Sequence, residues 1–261
     1  MAQMKFKRYE TKYRLNEDQY TRLQTLFQQF MTPDSHGRST IHSLYFDTPD
    51  YLMIRRSIEH PVYKEKIRLR SYGTAGPETG VFLELKKKYK KVVYKRRLSL
   101  TLREALESMM PGWSIPGGQI ARELEYTRDH YPGLTPRVLI SYDREAWYGK
   151  NDNDFRITFD RNIAFRDHDL SMARKDSDEK IIQPGEVLME IKTGKGIPLW
   201  MTRYMAQEQI YKARFSKYGN AFRMIQERDD VPGKIRRRLA QAEKSRALSE
   251  QRGQLIYGNN I

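Results

Sequence analysis

Tyr63-Lys64-Glu65-Lys66-Ile67-Arg68-Leu69-Arg70-Ser71-Tyr72 places a cation at every second position, at Lys64, Lys66, Arg68 and Arg70. In an extended strand, side chains two apart share a face, so all four cations line one side. Like charges in a row repel one another unless something anionic lies between them. The stretch therefore predicts a strand whose charged face meets an anion.

The pattern recurs along the chain. Glu10, Lys12 and Arg14 share a face, with Tyr9, Thr11, Tyr13 and Leu15 on the other. Ser43, Tyr45 and Asp47 oppose His42, Leu44 and Phe46. Glu84, Lys86 and Lys88 oppose Leu83 and Leu85, and Lys95 and Arg97 follow. Tyr142 with Arg144, then Arg156, Thr158 and Asp160, then Glu190 with Lys192 complete the series. Strands are predicted over residues 5–15, 39–47, 62–72, 80–90, 91–100, 137–148, 154–163 and 186–193, with a turn at Gly73 to Gly80. Asn16, followed by acids and by Leu23, Leu26, Phe27 and Phe30 at helical spacing, opens a helix. Thr101 with Glu104 is a capping box. Residues 167–185 read as a polar loop, 199–228 as helical, and 231–261 as a basic helical extension. The expected division is a domain over 1–228 and that extension over 229–261.

Composition sets outer limits. The 261 residues carry 48 Lys and Arg against 33 Asp and Glu, a formal charge of +15, which favours polyanionic partners. There is no cysteine, which excludes disulfides, thiolate catalysis and cysteine-bound zinc. The start, Met1 to Glu10, lacks the apolar run of a signal peptide. No stretch approaches the roughly 20 apolar residues that span a bilayer. The expectation is a soluble, cytoplasmic protein.

Two architectures fit strands with one charged and one apolar face. An open antiparallel sheet would pack its apolar face on helices and show its charges to water. A closed barrel of about eight strands would turn its charges inward around a small ligand and cover its apolar outside with helices. Three details favour the barrel. The charged faces include carboxylates (Glu10, Glu84, Asp160, Glu190), which suits a phosphate compound with a hard divalent cation. Arg68 and Arg70 offer planar forks that match phosphate oxygens. A cationic lumen that excludes water holds an anion more strongly than an open face does.

The chain also resembles a family. Glu10 to Arg14 (E-x-K-Y-R), Ser43 to Thr48 (S-L-Y-F-D-T), Lys66 to Gly73 (K-I-R-L-R-S-Y-G), Phe82 to Lys88 (F-L-E-L-K-K-K), Ser141 to Trp147 (S-Y-D-R-E-A-W), Phe155 to Asp160 (F-R-I-T-F-D), Met189 to Lys192 (M-E-I-K) and Phe215 to Tyr218 (F-S-K-Y) occur in order. Together they resemble the vacuolar transporter chaperone (VTC) catalytic domain, a polyphosphate polymerase of the triphosphate tunnel metalloenzyme superfamily, over residues 5–225. The resemblance implies an α+β, CYTH-like fold: a closed antiparallel β-barrel tunnel with flanking helices. It also implies transfer of the γ-phosphate of ATP to a growing polyphosphate chain with Mn2+ or Mg2+. Carried over, Lys12, Arg68, Arg70, Lys86, Lys95, Arg144 and Arg156 would line the tunnel and act on phosphates. Arg14, Lys66, Lys192, Arg214, Ser216 and Lys217 would add phosphate contacts, with Arg214 standing where a lysine is usual. Glu190 would hold the metal. Glu10 and Glu84 are further metal candidates, or else lumen partners of Lys12 and Lys86.

One departure separates branches of the superfamily. Hydrolytic members open with E-x-E-x-K, and here Arg8 replaces the first glutamate ahead of Glu10 and Lys12. Losing a carboxylate and gaining a cation weakens a two-metal site and favours a longer anion, which argues for the polymerase branch. A terminal phosphate acceptor is already ionised and needs no strong base, so the scattered histidines, His36, His42, His60, His130 and His168, fit surface or packing roles. Tyr45 and Tyr142 are expected to pack or to hydrogen-bond in the lumen. The competing functions are a tunnel triphosphatase and a non-catalytic polyanion-binding module. Nucleic acid is not the expected partner, because the cations sit on strand faces that turn inward. Export of product would need a membrane-protein partner.

Overall fold

The structure is a computed structural model and describes residues 9–35, 37–90, 92–174 and 179–229. The order is β1 (Tyr9–Leu15), α1 (Glu17–Phe30), β2 (Met31–Pro33), β3 (Ser39–Asp47), α2 (Leu52–Ile58), β4 (Tyr63–Tyr72), β5 (Gly80–Tyr89), β6 (Val92–Thr101), α3 (Leu102–Ser108), α4 (Gln119–His130), β7 (Thr135–Gly149), β8 (Asp152–Arg166), β9 (Glu179–Lys180), β10 (Val187–Thr193), α5 (Leu199–Gln207) and α6 (Lys217–Asp229). All predicted strands form. The expected extension 229–261 lies, beyond Asp229, outside the described residues, as does the start of the first predicted strand.

The strands make one antiparallel sheet in the order β1-β10-β8-β7-β3-β4-β5-β6, with β2 beside β7 and β9 beside β8. Hydrogen bonds do not close it: among the described residues the path ends at β1 and β6. Curling still brings the two ends together, since Lys86 of β5 reaches Glu10 of β1 at 3.8 Å. The charges thus face a lumen, but the wall is not a fully hydrogen-bonded barrel.

The period-two apolar residues fill two clusters outside the lumen. Ile67, Leu69, Leu83 and Leu85 are buried under Leu102, Ala105, Ala121 and Leu124 of α3 and α4. Phe155, Ile157, Phe159, Met189 and Ile191 are buried under Leu23 and Phe27 of α1 and Met201 and Tyr204 of α5. Asn16 caps α1 by accepting from the Gln19 amide, while the Gln19 side chain accepts from the Asn16 amide. Thr101 and Glu104 form the same reciprocal pair on α3.

A third cluster lies on the inner face. Tyr218, Ala221, Phe222 and Ile225 of α6 pack on Ile41, Val138, Ile140, Phe165 and Leu188. The predicted helix over 199–228 is therefore two helices with different partners. The break is a left-handed Gln209, φ 52°, followed by Lys212 bridging to Tyr13 of β1. It lets α5 stay outside while α6 turns in. Helices α2 and α4 and the short β2 and β9 were not legible as elements, and β9 falls within the predicted 167–185 loop.

Asp47 ties the inner helix to the sheet. Its carboxylate is fully buried and accepts from the Met53 amide at 2.8 Å, the Ile54 amide at 3.0 Å and the Tyr218 hydroxyl at 2.9 Å. The Thr48 hydroxyl accepts from the Leu52 amide at 2.8 Å. Asp47 and Thr48 of the S-L-Y-F-D-T motif thus start α2 and anchor α6. Asp47→Ala would leave those buried donors without an acceptor, and we expect a loss of about 3 kcal/mol. Urea denaturation checks this, and an unchanged midpoint would contradict the tie.

Candidate functional site

Two walls of charge face the lumen. On the first, Glu84 of β5 is 1% exposed and surrounded by cations from the two flanking strands, β4 and β6. The Arg68 Nε donates to it at 2.9 Å, the Arg97 Nη2 at 2.6 Å, the Lys95 ammonium lies at 2.7 Å and the Arg70 Nε at 3.8 Å. Burial pushes the Glu84 carboxyl up, but Arg68, Arg70 and Lys95 outweigh it and hold it well below the usual carboxylate range. Arg68 also donates to the Tyr45 hydroxyl at 2.9 Å.

On the second wall, Asp160 of β8 takes both nitrogens of the Arg144 fork at 2.6 Å and the Lys217 ammonium. Glu190 of β10 lies 3.3 Å from Lys12, 3.4 Å from Lys217 and 3.6 Å from Arg144. Despite burial, those cations keep Glu190 well below its ordinary value. Lys217 is in turn held above its ordinary value, because Asp160 and Glu190 outweigh burial. Lys217 is the first residue of α6, so the helix that enters the lumen brings this ammonium with it. Lys12 also donates to the Phe215 carbonyl at 3.1 Å.

Tyr142 joins the walls. Its hydroxyl accepts from Arg70 at 3.3 Å, and the Lys217 ammonium stands 4.5 Å from its ring centre. Burial works upward on the phenol, but Arg144, Arg70 and Lys217 bring it down to about 8. Lys66 donates to the Ser216 hydroxyl at 3.4 Å. Burial, aided by Lys86, Lys64 and Lys12, lowers Lys66 to about 7. Burial lowers Lys95 to about 8, although Glu84 opposes this. Lys192 is also lowered by burial, with Glu190 and Glu10 working against it.

The structure thus gathers Lys12, Lys66, Arg68, Arg70, Lys86, Lys95, Arg144, Lys192, Ser216 and Lys217 around one lumen. Three others make contacts of their own or face water. Arg14 stands level with Leu188, where α6 covers the inner face, so it turns outward and pairs with Glu186. Arg156 turns to Asp34 at 3.5 Å and to the Tyr148 ring. Arg214 is exposed. Arg97 received no role from the sequence, and Asp160 was named only among the carboxylates of the charged faces, although both keep the period-two spacing of assigned neighbours.

Among the described residues, no three of His, Cys, Asp and Glu stand together as a metal site. Glu84, a metal candidate by sequence, acts here as a counterion, with Arg68 on one oxygen at 2.9 Å and Lys95 and Arg97 on the other at 2.7 and 2.6 Å; the cation contacts of Glu190 are longer, at 3.3–3.6 Å. Among the described residues, Glu10 makes long contacts, at 3.9 Å to Lys12 and 3.8 Å to Lys86. Glu10 and Glu190 on adjacent strands therefore fit a hard divalent ion as part of a shell that phosphate oxygens would complete.

Two outcomes follow. Glu84→Gln leaves Arg68, Arg70, Lys95 and Arg97 without their shared anion and should cost about 3–5 kcal/mol. Tripolyphosphate should raise the melting temperature of that variant more than that of the parent, and equal shifts would show that Glu84 does not balance the ligand-binding cations. The second concerns pH. Between about 7 and the ordinary 10.5 of lysine, the unfolded chain holds a proton that folded Lys66 lacks. Stability of the free protein should therefore rise with pH across that window. Tripolyphosphate affinity should fall over the same range as Lys66 and Lys95 discharge. Lys66→Met should flatten both trends in calorimetry, and unchanged slopes would exclude Lys66.

The VTC domain family matches residues 7–226. No curated protein sequence matches the chain. Among solved structures, a candidate adenylate cyclase from Bacillus halodurans superposes with a TM-score of 0.50 at 14% identity, covering 79% of this chain and 92% of its own. One from Vibrio parahaemolyticus gives 0.46 at 15% identity, covering 84% and 99%. The first likeness supports the antiparallel-sheet fold that the family resemblance implies, and the family match extends across both charged walls. The chain belongs to the VTC domain family.

Proposed function

We propose that this protein is an ATP-dependent polyphosphate polymerase, moving the γ-phosphate of ATP onto the end of a polyphosphate chain and releasing ADP. The observation that carries the reading is the pair of cationic walls, Arg68 with Arg70 and Arg144 with Lys217, joined through Tyr142. An oxygen of the terminal phosphate forms the new bond to the γ-phosphorus as the bond to the β-phosphate oxygen breaks. Donor and acceptor are both anions, so the work is to bring them together and neutralise them. Cations on two sides of one lumen suit that task.

Arg68 and Arg70 would grip phosphate oxygens with forks held in place by Glu84. Lys12, Arg144 and Lys217 would do so from the other wall, positioned by Asp160 and Glu190. Lys66, Lys86, Lys95 and Lys192 add charge between them. The acceptor is ionised from the start, so no base is required and none of the histidines enters. A bound Mn2+ or Mg2+ would neutralise further phosphate charge, with Glu10 and Glu190 as its protein oxygens.

Purified protein with ATP and Mn2+ or Mg2+ should yield ADP and a ladder of long polymer on a gel, with and without a short phosphate primer. Release of free phosphate alone would replace the reading with a triphosphatase, and binding without turnover would leave a polyanion-binding module. The double change Arg68→Ala and Arg70→Ala should lower turnover by at least about 100-fold. Full activity in that variant would remove the lumen from the reaction.

A further inference from the structure

The lumen is not equally enclosed on all sides. Arg70 and Arg144, on its inner strands, have side chains 8% and 14% exposed, and Arg68 20%. Along the free edge the cations on the same face are wetter: Arg97 is 37% exposed, Lys95 42% and Lys86 45%. Ser99, next along that face of β6, is exposed as well. A sheet closed on itself would shelter β6 as it shelters β4. Here β6 has a paired neighbour on one side, and no described strand pairs with its other edge.

Among the described residues, the contact from β1 to this end of the sheet, made to β5 beyond β6, is weak. Lys86 and Glu10 meet at 3.8 Å with both side chains in partial contact with water, and exposed ion pairs of this kind contribute little to stability. An arriving polyanion would offer Lys86 a better partner than Glu10. The opposite side is sealed by the continuous ladders from β10 to β4. Along the inner face of β4 the way is obstructed too. The start of α6 stands there, with Ser216 3.4 Å from Lys66 and the Tyr218 ring centre 5.9 Å from it. A rod of polymer pushed lengthwise past Arg68 toward Lys66 would meet that turn.

We infer that the lumen takes internal segments of a polyphosphate chain sideways, through the gap between β1 and β6, so that neither end of the polymer has to be threaded. The inference rests on the polyphosphate reading above. It extends what the lumen binds, though not what it elongates, from chain ends to any stretch of a long chain, including one whose ends are attached to something large. Lys95, Arg97 and Lys86 would make first contact, and Arg68 and Arg70 would receive the chain once Lys86 leaves Glu10.

The test uses long-chain polyphosphate joined at both ends to biotin and saturated with streptavidin, beside the same polymer with free ends. Binding to the full chain is measured without ATP. Lateral entry predicts affinities within about threefold of each other, less than 1 kcal/mol. A loss of tenfold or more on capping, with the free-ended polymer still bound, would establish threading and overturn the inference. The Arg68→Ala, Arg70→Ala variant must lose the capped polymer, because retention would place it on the outer surface and overturn the inference equally. Failure of the free-ended polymer to bind would instead overturn the polyphosphate reading, and the inference with it.

Discussion

Repulsion among inward-facing cations is the constraint on which this fold rests. Lys64, Lys66, Arg68 and Arg70 lie on one side of a single strand, and the register sets Lys66 against Lys86 and Lys86 against Lys95. Such a face cannot curl on itself unless negative charge is built into it. Glu84 supplies that charge on one wall, and Asp160 with Glu190 on the other. Each is buried and each is surrounded by more cations than it can neutralise. The lumen is therefore folded and still short of negative charge, which is the condition of an anion site before its ligand arrives. Burial lowers Lys66 and Lys95, and the cations beside them add to it.

Turning the charges inward commits the apolar faces to the outside, and this dictates where the helices go. The four shorter-range packers, α1, α3, α4 and α5, cover the two outer clusters. Helix α6 breaks the rule by lying inside, on the apolar part of the inner face, and so needs anchoring that the others do not. The Tyr218 hydroxyl on Asp47 and the Tyr218 ring stacked on Tyr45 at 4.6 Å provide it. That placement puts Ser216 and Lys217 in the lumen. A short motif far along the chain thus completes a site otherwise built from strands.

Strand faces were legible because their signal is local. Period two at Lys66, Arg68 and Arg70 fixes a face whatever the strand pairs with. The same signal covered Arg97 and Asp160, but their roles depend on which residue lies across the register, and that is not local. Arg14 and Arg156 show the complementary limit of a local signal. They hold the right face, but one stands where α6 occupies the lumen and the other turns to Asp34. Closure was also invisible to periodicity, since alternation predicts a charged face without saying whether the last strand meets the first. The inner position of α6 depends on a break at Gln209, a residue with no special preference for a left-handed backbone.

The built-in carboxylates also bear on which anion the site prefers. A single phosphate entering the first wall competes with Glu84 for Arg68 and Arg97 and gains only the difference between two similar partners. A chain of phosphates bound as proposed would meet Arg68 and Arg70 and then, across Tyr142, Arg144 and Lys217, without leaving the lumen. Each later contact is intramolecular once the first is made, so its entropic cost is largely removed. Competition with the fixed carboxylates lowers every individual affinity by a similar amount, and a ligand making many contacts outlasts that discount where a small one does not. On the proposed reading, the counterions that allow the lumen to fold would thereby act as a filter for length, favouring a polymeric anion over free phosphate even though every contact uses the same chemistry.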